Sequence, residues 1–401
     1  MLLSNQIFNC THYPVNHKNM KTSDLIKDFL VTFNDPAIPF FTPLGNIILT
    51  KIEDILRQEA TNNQIDEVKI PLIMKTQLLE KGQQIGEQFA QKIVHLGGSM
   101  GEFHMMTSPE MMFLNLFSEN KLTERTLPIH YFYCTDLCRN MPDPKGFLRG
   151  KQLRVFGGIS FDKTQQQANQ TSQKIDDMFA SAFKNMGFPF HREAGGSGFS
   201  SEYFYLLSKE NESYFIPSIN PSGKTKALSF GMNYQYIPEK SKEGFFYIAQ
   251  NGEKKLPYMT SYALSTQRIL YVVMDYFRDE HGFNLPENLR PLDIILLTGK
   301  ETKQECQRIA QILEKAGYKV GIEDLYYADY KKRLLTADFL GTQYTLSLGK
   351  NTYLLRSRGG KDIIKSKVLS DVLKPLFQSK IDYHRSQISI LQRRQQEILS
   401  R

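Results

Sequence analysis

The stretch Leu127–Asp162, LPIHYFYCTDLCRNMPDPKGFLRGKQLRVFGGISFD, decides the fold. Two runs rich in aromatic and β-branched residues flank a segment that holds Pro142, Pro144 and Gly146. Proline and glycine punctuate a chain, so the pattern predicts strand, loop, strand: an antiparallel hairpin. Arg139 stands at the end of the first strand and Arg149 on the way back. A guanidinium is a planar fork that matches phosphate oxygens and keeps its charge. Two of them on one hairpin can hold a polyphosphate from two sides. On a surface hairpin the same two would simply be solvated, and residue types alone leave both readings open.

At 401 residues the chain is long enough for two or three domains with cores of their own. Its 41% hydrophobic and 23% charged residues are those of a globular protein. The net charge of +8 favours an anionic partner, although scattered lysines would give the same sum. The four cysteines, Cys10, Cys134, Cys138 and Cys306, form no CxxC pair. With no signal-peptide pattern, reduced thiols in a cytoplasmic compartment are expected. No apolar run approaches the length of a membrane span. GxxxxGK[ST], GxGxxG and HExxH are all missing, and the eight histidines have no metal-ligand spacing, so no metal ligand is assigned.

Residues 1–43 form an irregular N-terminal segment. Ile47, Leu49, Ile52, Ile55 and Leu56 predict a helix over Leu44–Gln64. Glu67–Ile73 reads as a strand with Pro71 at an edge or interruption. After the hairpin come a helix over Gln165–Met186, short strands near Phe204–Leu207, Tyr214–Pro217 and Phe245–Ile248, and a helix over Thr266–Arg278. Residues 44–290 thus make one domain. Asp279–Pro291, with Gly282, Pro286 and Pro291, reads as a linker. Residues 291–378 alternate strand and helix, which predicts a small α/β domain with a mostly parallel sheet. The tail, 379–401, carries Ile381, His384, Ile388, Leu391 and Ile398 on one helical seam and a net charge of +3. Packing of that seam on the body is expected; a coiled-coil arm and a nucleic-acid contact are the alternatives.

Together these landmarks resemble a class II aminoacyl-tRNA synthetase, and within that class the bacterial-type prolyl-tRNA synthetase. The resemblance runs along nearly the whole chain from Met20. Gly45–Pro71 looks like motif 1, the helix and proline-ending strand of the dimer interface. Leu127–Phe161 looks like motif 2, and Ser261–Phe277 like motif 3. The implied fold is α+β: an antiparallel-sheet catalytic domain followed by a small α/β anticodon-binding-type domain.

The resemblance implies an ATP-dependent ligase that activates an amino acid as its adenylate and passes it to tRNA. Proline, or another amino acid, would be the substrate, with Mg²⁺ on the triphosphate and a homodimer as the assembly. Arg139 and Arg268 take the catalytic places, and Arg139, Arg149, Arg268, Ala263 and Ser265 the ATP places. Ser108 and Glu110, in the place of the family's TxE loop, would hold the amino acid. So would Ser201 and Glu202, in a GGS segment where Ser201 replaces a histidine. At the first turn of a helix, a glutamate such as Glu110 is also favourable for structure alone.

The chain departs from the pattern in several places. The family's RxE reads Arg139-Asn140-Met141, its adenine-stacking ring reads Leu153, and two motif 3 glycines read Ala263 and Ser265. Glu323-Asp324 keeps an acidic segment but loses the arginine that follows it. Only 99 residues separate Phe161 from Ser261, too few for the editing insertion. These departures suit the alternative, an inactive paralogue that binds RNA or a protein partner as a dimer.

Overall fold

The computed structural model describes residues 21–35, 37–77, 91–119, 122–142, 144, 146–194, 200–206, 227–236, 246–360 and 362–399. Cys10, the segment Gly195–Phe199 and the strand expected at Tyr214–Pro217 lie outside them. The chain divides into two compact units, one spanning Lys21–Tyr276 and the other running from Phe277 to the end of the chain. Among the described residues no helix is long and apolar enough to cross a membrane.

The first unit opens with α1 (Thr22–Phe29), the hairpin β1 (Val31–Asp35) and β2 (Ile38–Phe41), and α2 (Pro43–Asn62). Thr42 caps α2 by accepting from the Gly45 N–H at 3.1 Å, ahead of Pro43 in the first turn. The strand expected after α2 is interrupted. Only β3 (Asp66–Glu67) pairs, and β4 (Ile73–Lys75) turns away to join β5 (Phe103–Met105). Next come α3 (Glu110–Glu119), β6 (Ile129–Cys138), β7 (Gln152–Asp162) and α4 (Gln165–Met186). They are followed by β8 (His191–Ala194), β9 (Ser200–Leu206), β10 (Ala227–Tyr236), β11 (Tyr247–Ile248), β12 (Lys254–Lys255), β13 (Tyr258–Ser265) and α5 (Thr266–Tyr276). Seven strands build one sheet in the order β3-β6-β7-β13-β10-β9-β8. Every pair is antiparallel except β3 with β6.

Strand alternation gives this sheet two different faces. One carries Phe132, Phe156, Tyr203 and Tyr262 against Phe179 and Phe183 of α4. The other carries Tyr133, Leu137, Leu153, Val155, Ile159 and Phe161 against Phe113 and Phe117 of α3. Gly157 and Gly158 serve one face each. A methyl on Gly157 would stand 2.7 Å from the Tyr133 hydroxyl, and one on Gly158 would stand 2.2 Å from the Tyr262 ring. The aromatic rings lie across the strand because these two positions have no side chain.

The second unit starts with the hairpin β14 (Arg278–Asp279) and β15 (Gly282–Phe283), continues through β16 (Ile294–Leu297), α6 (Lys303–Lys315), β17 (Val320–Glu323), α7 (Tyr330–Phe339), β18 (Tyr344–Gly349), β19 (Thr352–Ser357) and β20 (Ile363–Ser366), and ends in α8 (Leu369–Leu399). The stretch expected as a linker is built into this unit. The Phe283 ring packs 5.0 Å from that of Phe339, and Asp279 pairs with Arg358. The sheet order is β17-β16-β18-β19-β20. It is less parallel than expected: β16 runs parallel to β17 and β18, but β18, β19 and β20 are antiparallel. The two residues between β18 and β19 permit only a hairpin.

Two further expectations are corrected here. The last helix of the second unit begins at Leu369 rather than Ser366, and it and the tail form one helix, α8, running through Pro375. Its first half is buried at Val372, Leu373 and Leu376, but Ile381, Tyr383, Ile388 and Ile390 are exposed, so among the described residues the seam positions Ile381 and Ile388 are not buried as packing would require. Glu323, without its following arginine, instead pairs with Arg333 of α7, which also donates to the Thr298 carbonyl at 2.9 Å. Burial pushes the Glu323 carboxyl up, while Arg333 pulls it down. Replacing Arg333 with alanine leaves that buried carboxylate unpaired. The expected loss is ~3–5 kcal/mol, read as a lower urea midpoint for this unit.

Candidate active site

The register lays out the floor of the cleft. Across β6, β7, β13, β10, β9 and β8, the residues Tyr133, Gly157, Ala263, Met232, Glu202 and Glu193 stand in one row on the face away from α4. The row beside it is Tyr131, Ile159, Ser261 and Tyr234. A third holds Thr135, Val155 and Ser265. Ser261, Ala263 and Ser265 therefore share the cleft face by the two-residue period of a strand, with Tyr262 and Leu264 turned inward.

Glu110 sits at one end of this floor, in the first turn of α3. Its Oε1 accepts from the Tyr234 hydroxyl at 3.0 Å and the Ser261 hydroxyl at 2.9 Å, and its Oε2 accepts from Ser108. Three hydroxyls thus orient the Glu110 carboxylate in the cleft. Arg139 faces it. The Arg139 Nε donates to the Thr107 carbonyl at 3.4 Å, and Thr107 in turn donates to the Cys138 carbonyl at 3.0 Å. The loop before α3 and the end of β6 are thereby tied together, which sets Arg139 near Glu110. Burial pushes the Arg139 guanidinium down, while Glu110 pulls it up. Tyr133, buried beside both, has its phenol raised by burial first and by the Glu110 charge second.

Arg268 marks the other end. It lies in the first turn of α5, where its backbone N–H donates to Ser265 Oγ at 3.3 Å. Its Nε donates to the Leu148 carbonyl at 3.0 Å and its Nη1 to the Ser229 carbonyl at 2.7 Å. The guanidinium is brought down to about 10, first by burial, then by Arg139 and Arg149, with Glu202 opposing. Three cations thus lie close enough to oppose one another's charge. Positive charge crowded in a half-buried cleft is relieved by an anion.

Of the residues expected from the sequence, Ser108 bonds Glu110, Glu110 acts on Arg139, Arg139 and Arg149 act on Arg268, and Ala263 and Ser265 lie on the face of β13 turned away from α4. Two residues fall elsewhere. Ser201 points to the helix side, donating to Asp176 Oδ2 of α4 at 2.9 Å together with Arg192 at 3.0 Å. Tyr203 and Asn233 hold the same carboxylate. One residue on, Glu202 emerges on the cleft face, but at the Arg268 end: it accepts from Ser229 Oγ at 2.6 Å. Leu153 is buried with Leu137 and Val155, and Met141 is half-buried in the loop. Tyr234 and Gln267 have no role in the sequence reading. The alternation in LSFGMNYQY would have marked Tyr234 as facing the same way as Met232.

Under the opposite face lies an ionic cluster. The buried Glu53 of α2 accepts from Arg154 Nε at 2.7 Å and Nη2 at 3.1 Å, and from Arg57 Nη2 at 3.3 Å. Thr266 adds a hydroxyl at 3.4 Å, and Asp136 takes Arg154 Nη1 at 3.4 Å. Among the described residues no group of three or more His, Cys, Asp or Glu could hold a metal by itself. Cys134, beside this cluster, has its thiol pushed up to about 12 by burial first and by Glu53 second. A raised thiol stays protonated until the pH approaches that value. At pH 8 only ~1 molecule in 10,000 carries the thiolate, so iodoacetamide should leave Cys134 unmodified in folded protein and label it after unfolding, as mass spectrometry would read.

Comparison with known proteins gives a consistent picture. Residues 100–277 match the tRNA synthetase class II core domain (G, H, P, S and T). The chain is 21% identical over 398 residues to a proline–tRNA ligase of Ehrlichia canis, covering 87% of this chain and 92% of that one. It is 19% identical over 395 residues to the ligase of Rhizobium etli, covering 84% and 88%. Among solved structures it resembles a Giardia lamblia prolyl-tRNA synthetase in complex with prolyl-adenylate, with a TM-score of 0.67 at 17% identity, covering 91% of this chain and 81% of that one. A Cryptosporidium parvum prolyl-tRNA synthetase complexed with halofuginone and AMPPNP gives 0.68 at 18%, covering 91% and 79%. Residues 100–277 thus match the class II tRNA synthetase core domain, and the chain has the fold of the prolyl-tRNA synthetase structures it resembles.

Proposed function

We propose that this chain is an aminoacyl-tRNA ligase of the prolyl type, which condenses proline with ATP and transfers the prolyl group to tRNA. The observation that carries this reading is that Glu110 and Arg139 stand together at one end of the floor and Arg268 at the other, with the small residues Ser261, Ala263 and Ser265 of β13 along the floor between them. An amino acid has an ammonium and a carboxylate; Glu110 suits the first and Arg139 the second. Arg139 would then also meet the α-phosphate, so that the attacking carboxylate oxygen and the phosphorus share one cation. Arg149 and Arg268 would take the rest of the triphosphate. The protein forms no covalent bond in such a reaction: it aligns the attack and neutralises charge that develops as pyrophosphate leaves.

Mg²⁺ binds through one or two carboxylates together with substrate phosphates. Glu202 is the oxygen donor on the floor beside Arg268 and fits that demand. When bound, the ion would neutralise triphosphate charge. The ligases named among the relatives support the reading, as do the nucleotide and adenylate in the structural neighbours' names. The inactive-paralogue alternative rests on Met141, Leu153 and the motif 3 glycines replaced by Ala263 and Ser265. The arginines that would bind the phosphates are all present.

The tRNA would reach the second unit through Tyr326 and Tyr327 on the connection from β17 to α7 and Tyr330 at the start of α7, all exposed, next to Lys331 and Lys332. Exposed aromatic rings beside lysines suit unpaired bases and their phosphates. A homodimer through α2 and the strand after it would complete the assembly.

Arg139→Ala should lower proline-dependent exchange of pyrophosphate into ATP by ~100-fold or more while the thermal midpoint holds. Exchange that survives the substitution would remove Arg139 from its assigned role. Tyr327→Ala should weaken tRNA binding by ~1–3 kcal/mol without changing that exchange, as comparison of the two assays would tell.

A further inference from the structure

The end of β13 carries a device that the reaction chemistry does not require. The strand stops at Ser265, opposite Val155, so the next residue of β7, Arg154, has no strand partner on that side. Two side chains of α5 stand in for one. Thr266 Oγ1 donates to the Arg154 carbonyl at 3.3 Å, and Gln267 Oε1 accepts from the Arg154 N–H at 3.4 Å. The far end of the same Gln267 amide, Nε2, donates to the Phe147 carbonyl. Arg268 Nε then takes the next carbonyl, Leu148. Two consecutive side chains of one helical turn thus hold two consecutive carbonyls, immediately before Arg149. Beyond Arg149 the loop is held at Lys151, whose N–H donates to the Ala37 carbonyl at 2.7 Å.

We infer that Gln267 is a positioning residue that seats the loop of Arg149 over the nucleotide site. Gln267 is 1% exposed, and its amide is used at both ends. A buried amide costs free energy unless both ends are bonded, so a glutamine here is specific to the two groups it joins. Arg268 serves the loop and, on the reading proposed above, a phosphate as well. Gln267 has no second task. It keeps Phe147 tied to Arg154 while the Arg268 guanidinium adjusts to an incoming anion.

The test compares the full-length wild-type chain with Gln267→Ala and with the near-isosteric Gln267→Met, which keeps the volume and removes the amide. Hydrogen exchange of the backbone amides over residues 146–151, without nucleotide, reads the seat itself. Titration with ATP and, separately, with proline reads its consequence. Both variants should show ~10-fold faster exchange in that segment and ATP binding weakened by about the same factor, with proline binding unchanged. If one variant fails to fold, the other decides. Unchanged exchange overturns the seat. Faster exchange with unaltered ATP affinity, or an equal loss for ATP and proline, overturns its role in positioning. If wild-type protein binds no ATP at all, the proposed function fails, yet the exchange data still decide whether Gln267 holds the loop.

Discussion

Where β13 turns into α5, the chain passes from strand to helix within one residue, and much of the cleft hangs on that turn. The strand places Ser261 and Ala263 on the floor. The helix directs Arg268 across the cleft. The junction is held from below by Glu53, which binds Arg154 with two hydrogen bonds and receives the Thr266 hydroxyl. Glu53 comes from α2, Arg154 from β7 and Thr266 from α5, so one buried carboxylate fixes three elements at once. Breaking such a cluster costs more than a surface pair would, because the charges left behind are partly out of water.

Above that junction the cleft is an electrostatic arrangement rather than a set of reactive groups. Arg139, Arg149 and Arg268 oppose one another's charge, as the lowered Arg268 guanidinium records. Glu110 acts on Arg139 at one end and Glu202 on Arg268 at the other, each offsetting the positive charge locally. A ligand with a cationic end and a long anionic end would fit this distribution. The neutral floor between the ends, Gly157 and Ala263, allows a flat group to approach the sheet closely. The fold supplies this geometry through period and register, which makes the site insensitive to many substitutions and sensitive to a change of parity.

Much of this was legible in the sequence. The Leu127–Asp162 hairpin forms as the proline and glycine punctuation predicts, and α4 has the bounds Gln165–Met186 expected from its periodicity. Arg139, Glu110 and Arg268 were singled out because their positions stand in recognisable surroundings, and the structure brings Arg139 close to both Glu110 and Arg268. Ser201 and Glu202 are the instructive pair. Adjacent strand residues face opposite ways, and the Asp176 carboxylate that selects which one turns inward comes from α4, far along the chain. Tyr234 was missed because β10 was not read as a strand, and Gln267 because its partners are backbone atoms that no pattern of letters encodes. The tail misled for a physical reason: an apolar seam predicts a helix, but whether it packs depends on the surface available. Val372, Leu373 and Leu376 of the same helix already fill the second unit's core. The linker was misplaced because glycine and proline also build tight hairpins, as Gly282 does against Phe339.

On the reading proposed above, Arg139 and Arg268 bracket one nucleotide. Crystals of the protein soaked with ATP, Mg²⁺ and proline test this. Density should span the cleft, with the α-phosphate against Arg139, the far phosphates toward Arg268 and Arg149, and the proline nitrogen beside Glu110. A nucleotide bound away from these arginines, or a cleft that stays empty at saturating ATP, would contradict it.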